Sequence, residues 1–289
     1  MPLPIGAACV FLWERIDAVK QLAAGSADGC PVSAYDEGDG QAAVIIVGGA
    51  GDNGRGHARL AAKLTSTNRV LRLIRRQYRT DLAAWRPVNV TDEAADVVAL
   101  ARTAGRPCYL FGHSSGGVIG LEAALIAPES FAALAVFEPP VELGETPLPP
   151  ATATHAARQA IDAGRPGRAI EIFARDLVKV PRPSARLAKL LALSPRFRNE
   201  LIPGMVSDQE ALDRLGGRLA AYGTIRQHVL LVTGTKSPEH LRRRTEQLHS
   251  VLPFSDILRM DSAGHAGPIT STRDLAELLA ADIEAHTAG

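Results

Sequence analysis

The chain has little that would tie it to a membrane, a metal or a polyanion. Cysteine is scarce: Cys9, Cys30 and Cys108 are the three in 289 residues, far apart and without a CxxC pair. That excludes a disulfide framework and a cysteine-based zinc site, and an odd, scattered set suits a reducing compartment. No apolar run reaches the roughly eighteen residues of a membrane span. The apolar opening has no basic residue ahead of it, so it lacks the charged start of a secretory signal. Ala27-Asp28-Gly29-Cys30 fits a lipoprotein cleavage box badly, because of Asp28 and the want of a hydrophobic run directly before it. A cytoplasmic location is expected.

Excess charge of either sign is also missing. Lys and Arg number 32 against 31 Asp and Glu, so no global field attracts nucleic acid or an anionic membrane, and neither is expected as a partner. There is no H-E-x-x-H, and although Gly49-Ala50-Gly51-Asp52-Asn53-Gly54 has the G-x-G-x-x-G spacing, it has no fitting acidic partner about 20 residues on, as a dinucleotide fingerprint needs. No metal and no cofactor is expected. Repeats of 20 to 50 residues and low-complexity tracts are absent too, which removes solenoids and propellers.

What is present is an ordinary globular composition, with 46% hydrophobic and 22% charged residues, in a length suited to one large domain. Short apolar runs alternate with longer helical patterns. Strands are expected at 32–35, 43–47, 70–74, 108–111, 133–137, 229–233 and 256–260, with Cys108 a buried strand residue. This alternation predicts an α/β fold with a mostly parallel central sheet flanked by helices. After Thr91, a plausible N-cap, Ala94, Val97, Val98 and Ala101 recur at helical spacing, with Ala94 where a capping box would want Glu. The stretch 151–218 holds helical patterns at 168–178 and 185–193 and no convincing strand. It reads as a helical lid inserted into a core of 32–150 and 219–289, behind an N-terminal extension, 1–31. Pro139, Pro140, Pro147, Pro149 and Pro150 bound the insertion on its near side.

The chemistry enters at Gly112-His113-Ser114-Ser115-Gly116, a G-x-S-x-G placed between the run Cys-Tyr-Leu-Phe and the helical pattern 118–127. A serine hydroxyl is a weak nucleophile. A sharp strand-to-helix turn exposes its oxygen and leaves N–H groups at the helix start free for a developing oxyanion. Glycine at 112 and 116 allows so tight a turn. The plain alternative is a turn that merely contains Gly and Ser, and the order strand, motif, helix argues against it.

With this elbow, and with Ala263-Gly264-His265 directly after the last expected strand, the chain resembles the α/β-hydrolase superfamily from about Val32 to His286. The resemblance implies Ser114 as nucleophile and His265 as its general base. It also implies an oxyanion hole made by the N–H of Ser115 and that of Ala50, in Val47-Gly48-Gly49-Ala50-Gly51, where Gly48 stands in place of the superfamily's usual histidine. The implied activity is hydrolysis of an ester, thioester, lactone or related acyl substrate, a small molecule, through an acyl-Ser114 intermediate. Carbon–carbon bond hydrolysis and cofactor-free non-hydrolytic reactions use the same framework. A non-catalytic small-molecule binding protein is the alternative from another class.

One departure affects the triad. The superfamily most often takes its acid from Gly-x-x-Asp after the next-to-last strand, and this chain has Gly234-Thr235-Lys236-Ser237 there. A neutral hydroxyl cannot stabilise an imidazolium as a carboxylate does. Glu138, at the end of the run 133–137, is the first substitute, because some members draw the acid from that strand. Glu239 is the runner-up residue, although helix starts favour acidic residues in any case, and a triad with no charged acid stays open beside both. Arg72, Arg75, Arg76 and Arg79 follow the run 70–74 near the expected rim. They serve either to contact an acidic substrate group, Arg75 and Arg76 above all, or to sit on a solvated edge or bond loop carbonyls. Asp52 reads as a turn cap. Substrate identity and oligomeric state are not legible.

Overall fold

The structure, a computed structural model, describes residues 20–142 and 151–287. Cys9, Pro147, Pro149 and Pro150 lie outside the described residues. Eight strands form one sheet: β1 (Lys20–Gly25), β2 (Pro31–Glu37), β3 (Ala42–Val47), β4 (Asn68–Ile74), β5 (Cys108–His113), β6 (Phe131–Phe137), β7 (His228–Gly234) and β8 (Ser255–Met260). Their order is β1-β2-β4-β3-β5-β6-β7-β8, antiparallel at the β1, β2 and β4 edge and parallel from there to β8. Every expected strand is present. β1 was not foreseen and lies inside the stretch read as an extension.

The central strands are continuous apolar runs because both faces of the sheet are covered. Successive side chains point to opposite sides, so Ile45, Leu110, Leu134 and Leu231 enter one cluster and Val44, Tyr109, Ala135 and Leu230 the other. The first is closed by helices α2 (Val90–Arg102) and α3 (Ser115–Ile126). The second is closed by α1 (Ala58–Leu64) and α11 (Thr272–Thr287), while α9 (Glu239–Val251), between β7 and β8, adds Leu248 to the first and α10 (Gly267–Thr270) precedes α11. Each fully buried Leu, Ile or Phe stabilises the fold by about 1.5 to 3 kcal/mol.

Between β6 and β7 the described residues form helices joined by turns and no strand: α4 (Ala151–Asp162), α5 (Pro166–Ile172), α6 (Arg182–Leu187), α7 (Ile202–Leu215) and α8 (Leu219–Tyr222), with π turns at Phe173–Leu177 and Phe197–Leu201. Its apolar cluster is separate and rich in alanine, with Ala157, Ala160 and Ala169 beside Ile170, Phe173 and Val206. The cap of α2 differs from expectation. Asn89, not Thr91, is the N-cap, and Asp92 at the third helical position accepts the Asn89 N–H at 2.8 Å. A carboxylate two residues earlier in the helix than Ala94 supplies the reciprocal bond, so the helix starts at Val90.

Candidate active site

The sheet register assembles the site. His113 on β5 pairs with Phe137 on β6, and Val232 on β7 pairs with Phe137 in turn. The next residues, Ser114 and Glu138, therefore leave the same edge of the sheet side by side. Ser114 has φ 54 and ψ −124, a left-handed conformation costing an L residue about 1 to 3 kcal/mol. Three main-chain bonds hold the elbow and its neighbour: Ser114 N–H to the Phe137 carbonyl at 2.9 Å, Gly117 N–H to the Ser114 carbonyl at 2.8 Å, and Glu138 N–H to the Val232 carbonyl at 3.1 Å. A β-carbon on Gly116 would stand 2.2 Å from the Val47 carbonyl oxygen. Only glycine lets the elbow approach β3 so closely.

His265 arrives from the loop after β8. Its Nε2 is 3.1 Å from Ser114 Oγ, and its Nδ1 is 2.8 Å from Glu138 Oε2. With Nδ1–H donating to the carboxylate, Nε2 is the acceptor for the serine hydroxyl. The other Glu138 oxygen, Oε1, accepts Thr233 Oγ1–H at 2.7 Å and Gly234 N–H at 2.9 Å. Glu138 is itself fully buried and takes a left-handed φ of 48. Burial pushes its pKa up, yet the hydrogen bond and charge of His265, with the nearby Ser237 hydroxyl and the Gly234 N–H, outweigh this and hold the carboxyl below its ordinary range. The Ser237 hydroxyl stands close to this carboxylate without a well-formed hydrogen bond. Glu239 is elsewhere: exposed at the start of α9, it pairs with Arg243 at 2.6 Å.

Two further histidines pack around the site, and the sequence reading did not single them out. His113 Nε2–H donates to the His265 carbonyl at 2.9 Å, tying the β5 end to the loop that carries His265. Burial, then the neighbouring His265 and His57, push its pKa well below the usual imidazole range, so it is neutral. Its place directly before Ser114 was the available signal. His57 Nδ1 lies 2.5 Å from Asp52 Oδ2, and Asp52 Oδ1 accepts Gly56 N–H at 2.8 Å. Asp52 is thus a buried hydrogen-bond partner of His57 as well as a turn cap. It also accounts for Gly48, since a β-carbon there would fall 2.1 Å from the Asp52 carboxylate.

Ala50 and Ser115 border the same cavity as Ser114 and His265. Ser115 opens α3, where an N–H has no intrahelical acceptor, and among the described residues the Ala50 N–H forms no main-chain bond. The cavity holds about 210 Å³. Its walls are mainly apolar, from Phe173, Leu177, Met205, Leu212 and Ile269, with His240 and Arg244 at one side. Burial, with Lys179 and Arg244 nearby, lowers His240 to about 4.

Arg72, within β4, and Arg75, Arg76 and Arg79, after it, do not line the cavity beside Ser114. As expected of one of their two roles, Arg72, Arg75 and Arg79 bond main-chain carbonyls, those of Gly54, Gly48 and Pro31, and all four are paired with carboxylates. Arg72 pairs with Glu37 at 2.6 Å, Arg76 with Asp96 and Asp28, Arg79 with Asp81, and Arg75 with Glu93 and Asp208. Arg72, Arg75 and Arg76 are all buried. A buried guanidinium needs carboxylates around it, and α2, α7 and the turn between β1 and β2 supply those of Arg75 and Arg76 across sequence distances that spacing cannot reveal.

One group among the described residues brings metal-ligating atoms together: His228, Asp282 and His286, within 4.8 Å of one another. The two imidazoles stack with centroids 4.2 Å apart and planes 8° from parallel, so their in-plane lone pairs do not converge. The group is at the opposite end of the sheet from Ser114, at the first residue of β7.

A sequence profile of the alpha/beta hydrolase family matches residues 44–280. No curated protein matches the chain. Among solved structures it is similar to an alpha/beta hydrolase from Sphaerobacter thermophilus, with 27% identity, a TM-score of 0.72, and 89% of this chain and 100% of that one covered. It is also similar in fold to an esterase from a Rhodococcus species (16% identity, TM-score 0.71, 92% and 99% covered) and one from Exiguobacterium antarcticum (19%, 0.72, 91% and 98%). With the sheet order, the elbow after β5 and a profile match over most of its length, this chain belongs to the alpha/beta hydrolase family.

Proposed function

We propose that the protein hydrolyses a small ester or related acyl compound through an acyl-Ser114 intermediate. The observation that carries this reading is the continuous hydrogen-bonded line Ser114 Oγ, His265, Glu138, with Glu138 supplying the carboxylate that the loop at Ser237 lacks. His265 Nε2 takes the serine proton as Oγ bonds to the acyl carbon. The carbonyl π electrons move onto its oxygen, which the N–H groups of Ala50 and Ser115 hold. Collapse of that intermediate breaks the bond to the alcohol oxygen, which takes the proton from the imidazolium. Water then repeats the sequence, freeing the acid and restoring Ser114. Glu138 orients the imidazole and stabilises its charged form. The oxyanion donors are each worth about 3 to 4 kcal/mol. The helical segment acts as a lid whose Phe173, Leu177 and Met205 shape an apolar acyl pocket. That two of the similar structures are named esterases agrees with this reaction class.

A fluorophosphonate probe and p-nitrophenyl esters test the reading. Wild-type protein is expected to label and turn over, and Ser114→Ala to lose labelling and about 10⁴-fold or more of kcat. Ester turnover that survives Ser114→Ala would count against the acyl-enzyme. Ligand binding by a wild-type protein that neither labels nor turns over would point instead to the non-catalytic reading.

A further inference from the structure

The two N–H groups assigned to the oxyanion sit on different loops, Ala50 after β3 and Ser115 at the start of α3. Something has to fix their separation. The structure offers one buried junction that reaches both. Asp208, on α7, accepts the Ser115 Oγ–H at 2.7 Å through Oδ2. The same oxygen accepts the Tyr78 hydroxyl at 3.3 Å, and the Tyr78 oxygen in turn accepts Gly51 N–H at 2.7 Å, next to Ala50. Arg75 closes the junction: Nη1 donates to Asp208 Oδ2 at 3.1 Å, to Ser115 Oγ at 3.0 Å and to the Gly48 carbonyl at 3.2 Å, while Nη2 contacts Asp208 Oδ1 and Glu93 Oε2. Arg75 is fully buried, and Asp208, Glu93 and Ser115 are each 2% exposed.

Packing adds a second, independent contact. A β-carbon on Gly204 would stand 2.6 Å from the Tyr78 ring, and one on Gly51 would stand 3.2 Å from Met205 Sδ. The first turn of α7 is therefore pressed directly against both the Tyr78 ring and the Gly48–Gly51 loop. At these two points the helical segment touches Tyr78 and the Gly48–Gly51 loop directly.

We propose that Asp208 is a positioning residue for the oxyanion hole, so that seating of α7 on the sheet sets the distance between the Ala50 and Ser115 N–H groups. This rests on the reading of those two groups as oxyanion donors. Asp208 touches no reacting atom in it. It acts through Ser115 on one side and through Tyr78 and Gly51 on the other, and Arg75 keeps its charge compensated at the depth where an uncompensated carboxylate would be costly. The helical segment is then a working part of the catalytic edge as well as a wall of the pocket. A substrate that disturbs α7 would lose turnover more than binding.

Two variants test it. Ser115→Ala keeps the N–H and removes the hydroxyl that Asp208 and Arg75 hold. Asp208→Asn keeps the size and removes the charge. Each is assayed with a p-nitrophenyl ester, with a trifluoromethyl ketone that adds to Ser114 as a tetrahedral adduct, and with the planar carboxylic acid product as competitor. Displaced donors are expected to lower kcat by about ten- to hundredfold with KM within about twofold. The ketone should weaken by the same factor and the product acid should not, while Ser115→Thr, which restores the hydroxyl, should recover most of the loss. Folding is checked by circular dichroism and thermal melting. Folded Ser115→Ala and Asp208→Asn proteins with unchanged kcat overturn the proposal, and so does equal weakening of ketone and acid, which is plain pocket damage. Should Asp208→Asn fail to fold, Ser115→Ala decides alone. Failure of the parent reading looks different: the wild type itself is then unlabelled by fluorophosphonate, or Ser114→Ala keeps its turnover.

Discussion

The sheet and the helical segment that covers it are built to different tolerances. On β5 every residue is buried, and β3, β6 and β7 are each buried save one position. The segment between β6 and β7 instead gathers small alanines, departs from α-helical geometry in two π turns, and leaves Leu187, Leu190 and Leu193 at 38%, 56% and 75% exposure. A close-packed sheet has two discrete faces and one register, so a residue at its edge is placed within tenths of an ångström. A loosely packed helical array has neighbouring arrangements of similar energy, and π turns are often found where function bends a helix. Ser114 and Glu138 stand at the edge of the first kind of structure, and His265 meets them from the loop after β8. The cavity beside Ser114 takes part of its wall, Phe173, Leu177, Met205 and Leu212 among it, from the second.

Substitutions can sharpen that contrast or break it. The largest effect is expected at the sheet edge itself: Glu138→Gln keeps the shape and removes the charge facing His265, and should lower kcat by about 10³- to 10⁴-fold, whereas Glu239→Gln should leave kcat unchanged. Ester kinetics on the two variants decide between them as source of the acid. Next comes backbone space. Gly116→Ala places a methyl 2.2 Å from the Val47 carbonyl oxygen and is expected to cost about 3 kcal/mol or more in urea denaturation. Leu193→Ser, in the segment, should cost within about 0.5 kcal/mol. If the two cost the same, the difference in tolerance is not real.

The smallest effect is a pH dependence at the pocket wall. His240 is lowered to about 4 by burial first, while the unfolded chain titrates near its ordinary value of about 6.5. Between those values the unfolded state binds more protons, so stability is complete above about pH 6.5 and declines as pH falls toward 4. Thermal melting from pH 7 to 4 should fall less steeply for His240→Gln than for wild type over that window. Parallel curves would mean that His240 is hydrated and that the wall is looser still.

Legibility in the sequence follows the same division. Strands β2 to β8 announce themselves as apolar runs, and the elbow after β5 carries its own glycines. β1 does not, because Lys-Gln-Leu-Ala-Ala-Gly has no β-branched or aromatic residue and pairs only at an antiparallel edge. Ser114 was legible from local context. His265 and Glu138 needed a resemblance, since a contact across 127 residues leaves no trace in spacing. The Arg75 cluster was visible as charge but not as structure: its partner Asp208 is 133 residues away, on a helix whose own pattern gives no reason to bury a carboxylate. Exposed arginines and internal ion-paired ones read alike until the opposing element is in place.

Ser237 now looks like a spare socket. It occupies the superfamily's usual acid position, is 4% exposed, and already points its oxygen toward the carboxylate that does the holding. The imidazole thus has two candidate moorings, one fixed to a strand end and one on a loop, and the chain has furnished the first. Introducing Ser237→Asp into the Glu138→Gln background should return part of the missing turnover, and doing so in the wild type should crowd two like charges around one ring and slow it. Such a molecule would show how an enzyme can move its anchor from loop to strand without ever letting go of the histidine.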